Sequence, residues 1–118
     1  GEIKIDPKFE FYDFEAKYLD NSMEIVIPAE IPADISKQVQ IASLKAFEAA
    51  GCEGLARVDF FLADSGEVII NEINTMPGFT PTSVYPKLIA KLGINYQKLI
   101  TVLIQTAHSR NSNLNRQL

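Results

Sequence analysis

The pattern of hydrophobic and polar positions is clearest in the middle of the chain. Two runs of β-branched and aromatic residues, at 55–62 and 68–73, flank a turn at 64–67 that contains small polar residues and a glycine. Such a turn between two such runs is typical of a β-hairpin. We take Ser65 and Gly66 as the two turn residues, and this choice fixes which residues lie opposite each other.

This register gives the hairpin one charged face and one apolar face. It places Asp59 opposite Glu72 and Arg57 opposite Asn74, and alternation puts all four side chains on the same face. The other face is expected to pack on the core, and it carries Val58, Phe60, Leu62, Ile69 and Ile73.

The charged face has two interpretations. Two carboxylates and an amide oxygen are ligands suited to Mg²⁺, which takes one or two carboxylates and completes its octahedron with water and phosphate oxygens. Opposed carboxylates also repel each other unless a cation lies between them. That cation can equally be Arg57, in an ion-pair cluster with Asp59 and Glu72 on a solvated sheet face. Spacing alone leaves both interpretations open.

Three further positions of the hairpin depend on the same register. Phe61 is expected opposite Ile70 on the charged face. The pair can form an apolar slot for an adenine ring, or it can be a contact that only shields the sheet. Alternation sends Asn71 to the apolar face, where we can assign it no role.

The hairpin leads directly into a turn-forming loop at 74–80. Thr82 or Ser83 is expected to cap a helix that begins near Val84. A loop with a glycine such as Gly78, entering the N-terminus of a helix, presents backbone N–H groups to an anion.

The first part of the chain predicts two short strands and one helix. The strands are expected at 2–5 and 23–27, and the helix at 34–50, with Asp34 as its N-cap and Gly51 as its C-terminal stop. The apolar positions of this helix recur at helical spacing and should face the sheet; they are Ile35, Val39, Ala42, Ala46 and Ala49.

Two more helices are predicted after the loop. The first spans 84–92 and ends at Gly93, and the second begins after the cap residue Asn95. One face of the second helix is apolar, with Tyr96, Leu99, Ile100, Leu103 and Ala107. Residues 108–118 are polar and aperiodic, and we expect a disordered tail there.

Composition limits the class of protein. The 118 residues suffice for one small domain. A net charge of −4, from 11 basic and 15 acidic residues without a basic stripe, argues against nucleic acid as a partner. No apolar run approaches the roughly 18 residues of a membrane span, so we expect no membrane association. A single cysteine, Cys52, fits a reducing compartment, and we expect the cytoplasm.

Three stretches of this sequence resemble one known family. ARVDFF and NEINTMPGFTPTSVYP in the hairpin and loop, together with FYDFEAKYLDN at 11–21, are similar to the C-terminal part of the D-alanine–D-alanine ligases, in the ATP-grasp superfamily. The likeness extends over residues 1–106. It implies an α+β fold, the C-terminal lobe of an ATP-grasp domain, with a mostly antiparallel sheet and packed helices.

The resemblance implies a reaction and a metal site. ATP phosphorylates one D-alanine, and a second D-alanine attacks the acyl phosphate to give the dipeptide used in peptidoglycan. Asp59, Glu72 and Asn74 are expected to hold two Mg²⁺ ions, with Mn²⁺ as a substitute. Arg57 is expected to stabilise charge on the transferring phosphoryl group, and the backbone N–H of Gly78 to complete the oxyanion site.

The resemblance also implies contacts with both substrates. Ser83 and Val84 are expected to bind the carboxylate of the second D-alanine. Lys17 should meet the γ-phosphate of ATP and Tyr18 should select the second substrate, on a loop of about 9–21 that closes over the site. ATP itself is expected to contact Phe11, Lys17, Phe61 and Glu72.

The expected organisation is that of a partial catalytic domain. Residues 1–107 would be its C-terminal portion, with the metal-binding hairpin at 54–74 and the substrate loop at 74–84. The chain starts without an initiator methionine, so we expect a fragment that needs the N-terminal and central parts of the same enzyme and is inactive alone. The full-length protein is expected to be a homodimer. Two rival hypotheses are a D-alanine–D-lactate ligase, against which Tyr18 argues, and a non-catalytic metal- or nucleotide-binding module.

Overall fold

The computed structural model describes residues 1–5 and 23–114, with side chains described at 1–4 and 24–110. Two compact units divide the chain, Gly1–Pro32 and Ala33–Leu118. The strands that are described pair only antiparallel, in two two-stranded sheets, and helices accompany them. The predicted α+β class with antiparallel pairing is therefore confirmed.

The first unit contains a small antiparallel sheet. Strand β1 (Glu2–Ile5) pairs with β2 (Met23–Val26), close to the predicted bounds. Lys4 Nζ donates to Glu30 Oε2 at 2.5 Å, and Glu30 lies in the segment that follows β2. This hydrogen bond raises the pKa of Lys4 and lowers the pKa of Glu30.

Helix α1 (Ala33–Ala49) opens the second unit and packs against both strands of the hairpin. Its least exposed positions include Ile35, Val39, Ala42 and Ala46, as predicted, whereas Ala49 is exposed. Asp34 lies in the first turn of the helix, so the helix begins earlier than predicted. Gly51 follows the helix at φ 61°, a left-handed conformation that glycine adopts without strain.

The hairpin consists of β3 (Arg57–Leu62) and β4 (Val68–Asn74), and its turn differs from the predicted one. Ala63 N donates to Glu67 O at 3.0 Å, and Gly66 N donates to Ala63 O at 2.8 Å. The loop between Ala63 and Glu67 thus has three residues instead of two. Gly66 at φ 85° supplies the left-handed residue that such loops require.

A β-bulge at Asn71 compensates for the longer turn. Near the turn, Leu62 pairs with Val68 and Phe60 with Ile70, but Asp59 pairs with Glu72, which leaves Asn71 as the extra residue. The predicted pairs beyond the bulge are therefore correct even though the predicted turn is wrong. The bulge also explains why strict alternation gives Asn71 no place.

The bulge corrects the prediction for the residues between it and the turn. Phe61 pairs with Ile69 rather than with Ile70. Ile69 therefore shares the charged face, and Ile70 moves to the face that carries Phe60. A register that shifts by one residue within a strand exchanges the faces of its neighbours.

Two helices complete the second unit and contact each other. Helix α2 (Val84–Lys91) ends one residue before its predicted end, with Leu92 as its C-cap and Gly93 directly after it. Helix α3 (Tyr96–Leu114) is capped by Asn95, whose Oδ1 accepts from the backbone N–H of Lys98 at 2.9 Å.

The helical backbone of α3 continues beyond its predicted end at 107, through part of the sequence expected to be disordered. Ser109 Oγ donates to the Gln105 carbonyl at 3.0 Å, and Arg110 forms an ion pair with Glu53. These contacts, and the lack of glycine or proline, explain why polar sequence remains helical here.

Burial is sparse in the described side chains. Among hydrophobic residues only Ala46 and Leu99 are buried in that part of the chain, and they keep exposures of 9% and 6%. Leu62, on the face predicted to meet the core, is 45% exposed. No helix within the described residues is long and apolar enough to cross a membrane.

Candidate functional site

The charged face of the hairpin brings Arg57, Asp59 and Glu72 together as predicted. Arg57 donates to the Asp59 carboxylate from Nε at 2.8 and 3.1 Å and from Nη2 at 2.7 Å. The same Nη2 lies 3.1 Å from Glu72 Oε1. The guanidinium therefore bridges two carboxylates that face each other across the strands, and a bridged pair of this kind is fixed in geometry.

Exposure differs along this cluster. The side chains of Arg57 and Asp59 are 24% and 28% exposed, whereas that of Glu72 is 53% exposed. Asp59 is thus held by a forked pair in a partly sheltered position. Glu72 has a single longer contact and remains open to solvent and to ligands.

Asn74 ends the hairpin and starts the loop that follows. It lies opposite Arg57 in the register, and its Oδ1 accepts from the backbone N–H of Met76 at 3.0 Å. This bond orients the amide and turns the chain into the loop, in the manner of an Asx-turn. A carbonyl oxygen has two lone pairs, so the second can serve a ligand.

The donor set fits a hard divalent cation that also has phosphate and water ligands. The described residues include no cluster of three or more His, Cys, Asp or Glu side chains suited to a metal. Two carboxylates and one amide oxygen are nevertheless sufficient for Mg²⁺, which needs only one or two carboxylates from the protein. Arg57 shares these carboxylates, so the ion-pair interpretation and the metal interpretation involve the same atoms.

Gly78 lies against the side chain of Ser83 in the loop that follows the hairpin. A Cβ at Gly78 would be 2.7 Å from Ser83 Oγ and 3.3 Å from Ser83 Cβ. Only glycine fits this close approach without displacing Ser83. The sequence predicts both residues at the substrate site, and the structure shows them in contact.

A group of three hydroxyls follows Gly78. Thr80 Oγ1 lies 2.8 Å from Ser83 Oγ and 3.1 Å from Thr82 Oγ1, and Thr80 N donates to Ser83 Oγ at 3.1 Å. Ser83 occupies the N-cap position of α2, next to Val84, but its side chain makes no capping bond. Sequence reasoning missed Thr80; the signal is a second hydroxyl three residues before the expected cap.

An aromatic cluster fixes the same loop to the two helices behind it. The ring of Phe79 lies 6.0 Å from that of Tyr85 and 5.3 Å from that of Tyr96, and the Tyr96 hydroxyl donates to the Phe79 carbonyl at 3.0 Å. Burial raises the pKa of Tyr85 above its usual value of 10.0. The sequence predicts no contact between Tyr96 and the loop, because the two are joined only by the tertiary fold.

Of the remaining predicted residues, the structure describes one, and three lie outside the described residues. Phe61 shares the face of Asp59 and is 59% exposed, although its partner is Ile69. Phe11, Lys17 and Tyr18 lie outside the described residues.

Comparison with known proteins identifies the family of this chain. The family described as D-ala D-ala ligase C-terminus matches residues 1–105. The chain belongs to this family. The match includes the charged face of the hairpin, the loop and all of α2, so the residues assembled above lie within it.

Individual relatives agree with the family assignment. The D-alanine–D-alanine ligase of Shouchella clausii is 50% identical over 111 residues, covering 93% of this chain and 30% of that protein. A solved structure of the D-alanine–D-alanine ligase from Bacillus anthracis complexed with ATP is 35% identical with a TM-score of 0.68, covering 77% of this chain and 31% of its own. The chain therefore spans about a third of the length of these ligases.

A ligase named for a different second substrate is equally similar in structure. The VanG D-Ala:D-Ser ligase of Enterococcus faecalis is 38% identical with a TM-score of 0.72, covering 88% of this chain and 30% of that one. Likeness in fold thus identifies the ligase family but does not separate the second substrates within it.

Proposed function

We propose that this chain is part of an ATP-dependent D-alanine–D-alanine ligase that makes the peptidoglycan dipeptide through an acyl phosphate. The observation that carries the proposal is the Arg57 fork on Asp59 and Glu72, within a chain of the ligase family. Phosphoryl transfer requires mainly positioning and neutralisation of charge, which this face would supply through Arg57 and the metal ions that its carboxylates would hold.

Magnesium, or manganese in its place, would be held by Asp59, Glu72 and Asn74, in a site for two ions. When bound, the metal neutralises charge on the phosphates of ATP. Glu72 is more exposed than Asp59 and has the longer contact with Arg57, so it gives up the ion pair more readily. Arg57 then keeps its fork on Asp59, and its charge stabilises the transferring phosphoryl group.

The substrate loop would bind the oxyanion and the second D-alanine. The backbone N–H of Gly78 would stabilise the oxyanion that forms when the amine attacks the acyl phosphate. Ser83 and the N-terminus of α2 at Val84 would bind the carboxylate of the attacking D-alanine. The close packing of Gly78 on Ser83 supports this proposal, because it joins the two functions in one rigid loop.

Contacts with ATP involve residues from two regions. Phe61, exposed on the face of Asp59, would lie against the nucleotide together with Phe11 and Lys17. Lys17 would meet the γ-phosphate and Tyr18 would help to select the second substrate, on a loop at about 9–21 that excludes water from the acyl phosphate. The proposal for these three residues rests on the family resemblance.

Catalysis would require more protein than this chain provides. Residues 1–107 would form the C-terminal portion of the catalytic domain, completed by N-terminal and central parts of the same enzyme. The 118 residues alone would be inactive, and the full-length ligase would be a cytoplasmic homodimer. The chain spans only about a third of the length of its relatives, and this supports the need for further protein.

The test is a ligation assay on the full-length ligase that carries these residues. Phosphate release from ATP should require Mg²⁺ and D-alanine, and the product should have the mass of the dipeptide. The same assay with D-serine or D-lactate as second substrate separates the related ligases. ATP hydrolysis that is indifferent to every amino acid would contradict the proposal.

A D-alanine–D-serine ligase is the second candidate. It is favoured by one observation, the equal likeness of the chain to VanG, which is named for that activity. The mass of the mixed product distinguishes this candidate from a D-alanine–D-lactate ligase. Nucleotide or Mg²⁺ binding with no ligated product at all would instead indicate a non-catalytic metal- or nucleotide-binding module.

A further inference from the structure

The hydroxyl of Ser83 does not cap the helix that it precedes. A serine at an N-cap usually accepts a hydrogen bond from a backbone N–H two or three residues later. Ser83 has the extended backbone of an N-cap, with φ −67° and ψ 148°, but its side chain makes no such bond. Its Oγ instead accepts from Thr80 N at 3.1 Å and lies 2.8 Å from Thr80 Oγ1.

The number of protons on these hydroxyls determines which oxygen donates and which accepts in each hydrogen bond. A hydroxyl has one proton and two acceptor positions, and a carboxylate can only accept. Ser83 must therefore donate its proton to bind a carboxylate. Thr80 then fills both acceptor positions of Ser83 Oγ, one with its backbone N–H and one with its hydroxyl proton. Thr82 Oγ1, 3.1 Å from Thr80 Oγ1, can supply the bond that Thr80 accepts.

We propose that Thr80 is a positioning residue that fixes Ser83 as a donor to the carboxylate of the attacking amino acid. This inference rests on the proposed ligase function. Thr80 acts through Ser83 and touches no reacting atom. Because Ser83 Oγ bonds to Thr80 and makes no capping bond to α2, neither the hydroxyl proton nor the first N–H groups of the helix are used in a cap.

Gly78 supports the same arrangement from the other side. The space that a Cβ at Gly78 would need is taken by Ser83 Oγ, 2.7 Å away. Ser83 Oγ is thus confined between Thr80, which bonds to it, and Gly78, which makes room for it.

The test compares variants of the full-length ligase that differ by one hydroxyl. Thr80→Val keeps the branched shape and the backbone N–H but removes the hydroxyl. We expect the KM for the second D-alanine to rise about five- to tenfold, the effect of one lost hydrogen bond, with the KM for ATP unchanged. Thr80→Ser should restore the wild-type KM. Thr101→Val is the matched control, since its hydroxyl bonds the Gln97 carbonyl on α3 instead.

A double-mutant cycle then tests whether Thr80 acts through Ser83. In a Ser83→Ala background, Thr80→Val should cause less than about a twofold further change in the KM for the second D-alanine. Additive effects, or a Thr80→Val enzyme with the KM of the Thr101→Val control, would overturn the inference. So would equal changes in the KM for ATP and D-alanine that Thr80→Ser fails to rescue, since these indicate a general loss of loop structure. A wild-type protein that makes no dipeptide defeats the proposed function itself and is distinguished before any variant is measured.

Discussion

Arg57 donates to both carboxylate oxygens of Asp59, two residues along the same strand and on the same face. Only arginine presents donors in a planar fork that matches a carboxylate in this way. A third contact, from Nη2 to Glu72, ties the fork to the opposite strand. The charge of Arg57 is therefore fixed in position, as electrostatic stabilisation of a transition state requires.

The substitution Arg57→Lys tests whether catalysis needs the forked geometry of Arg57 as well as its positive charge. Lysine keeps the positive charge but cannot fork, so we expect kcat of the full-length ligase to fall about 100-fold, as when one fixed donor to a transition state is lost. The free energy of unfolding should fall by no more than about 1 kcal/mol, because the pair is partly exposed. Arg110→Lys is the control, at an exposed ion pair with Glu53. Kinetics that are equal for both variants would exclude a catalytic role for the fork.

Asp59→Asn and Glu72→Gln should each weaken the response to Mg²⁺. Both changes keep the shape of the side chain and remove one anionic ligand, so the Mg²⁺ concentration that gives half-maximal activity should rise by at least about tenfold. Asp64→Asn, at the hairpin turn, is the control and should change nothing. An unchanged Mg²⁺ response in both test variants would leave the carboxylates as an ion-pair cluster only.

Gly78→Ala should destabilise the loop by displacing Ser83. The added Cβ would lie 2.7 Å from Ser83 Oγ, and overpacking of this kind costs about 1–3 kcal/mol. The free energy of unfolding, measured by denaturant titration, should fall by that amount. In a Ser83→Ala background the loss should be smaller, because only the 3.3 Å contact with Cβ remains. Equal losses in the two backgrounds would show that Ser83 Oγ is not the atom that excludes a side chain.

Tyr96→Phe should loosen the loop without removing the aromatic cluster. The change deletes the bond to the Phe79 carbonyl and keeps the ring, so the free energy of unfolding should fall by about 1 kcal/mol. Tyr85→Phe, which alters the other ring that packs on Phe79, is the matched control. Equal losses would mean that the Tyr96 hydroxyl adds nothing to the packing of its ring.

The raised pKa of Tyr85 predicts that the folded protein loses stability at alkaline pH. Burial raises the pKa of Tyr85 in the folded protein, so the unfolded chain releases this proton at lower pH. As pH rises above the usual value of 10.0, the unfolded chain is favoured progressively, until the folded-state pKa is passed. The free energy of unfolding, followed upward from about pH 9, should therefore fall more steeply for wild type than for Tyr85→Phe. If the free energy of unfolding fell with pH equally for both proteins, a raised pKa of Tyr85 would be contradicted.

The charged face could be predicted from the sequence because two errors cancel. The turn between Ala63 and Glu67 is one residue longer than predicted, and the bulge at Asn71 restores the register before Glu72 is reached. Alternation therefore identifies Arg57 and Asp59 as neighbours of Glu72, although the predicted path between them is wrong. Nothing in the local sequence distinguishes the two turns, since both use a glycine at position 66.

Other features depend on contacts that a linear pattern does not contain. The hydrogen bond from Tyr96 to Phe79 joins residues far apart in the chain. Similarly, the polar end of α3 is held by the ion pair of Arg110 with Glu53, which lies before the hairpin in the sequence. Periodicity predicts which residues share a face but not which distant residue lies against it.

The central claim is that ligation proceeds through an acyl phosphate. Its most direct test follows one oxygen atom of the D-alanine carboxylate. The full-length ligase is supplied with ATP, Mg²⁺ and D-alanine labelled with ¹⁸O in its carboxylate, and the released phosphate is analysed by mass spectrometry. If the carboxylate attacks the γ-phosphorus and the second amine then expels phosphate, each phosphate carries one labelled oxygen from D-alanine. Dipeptide formation accompanied by unlabelled phosphate would contradict the acyl phosphate mechanism.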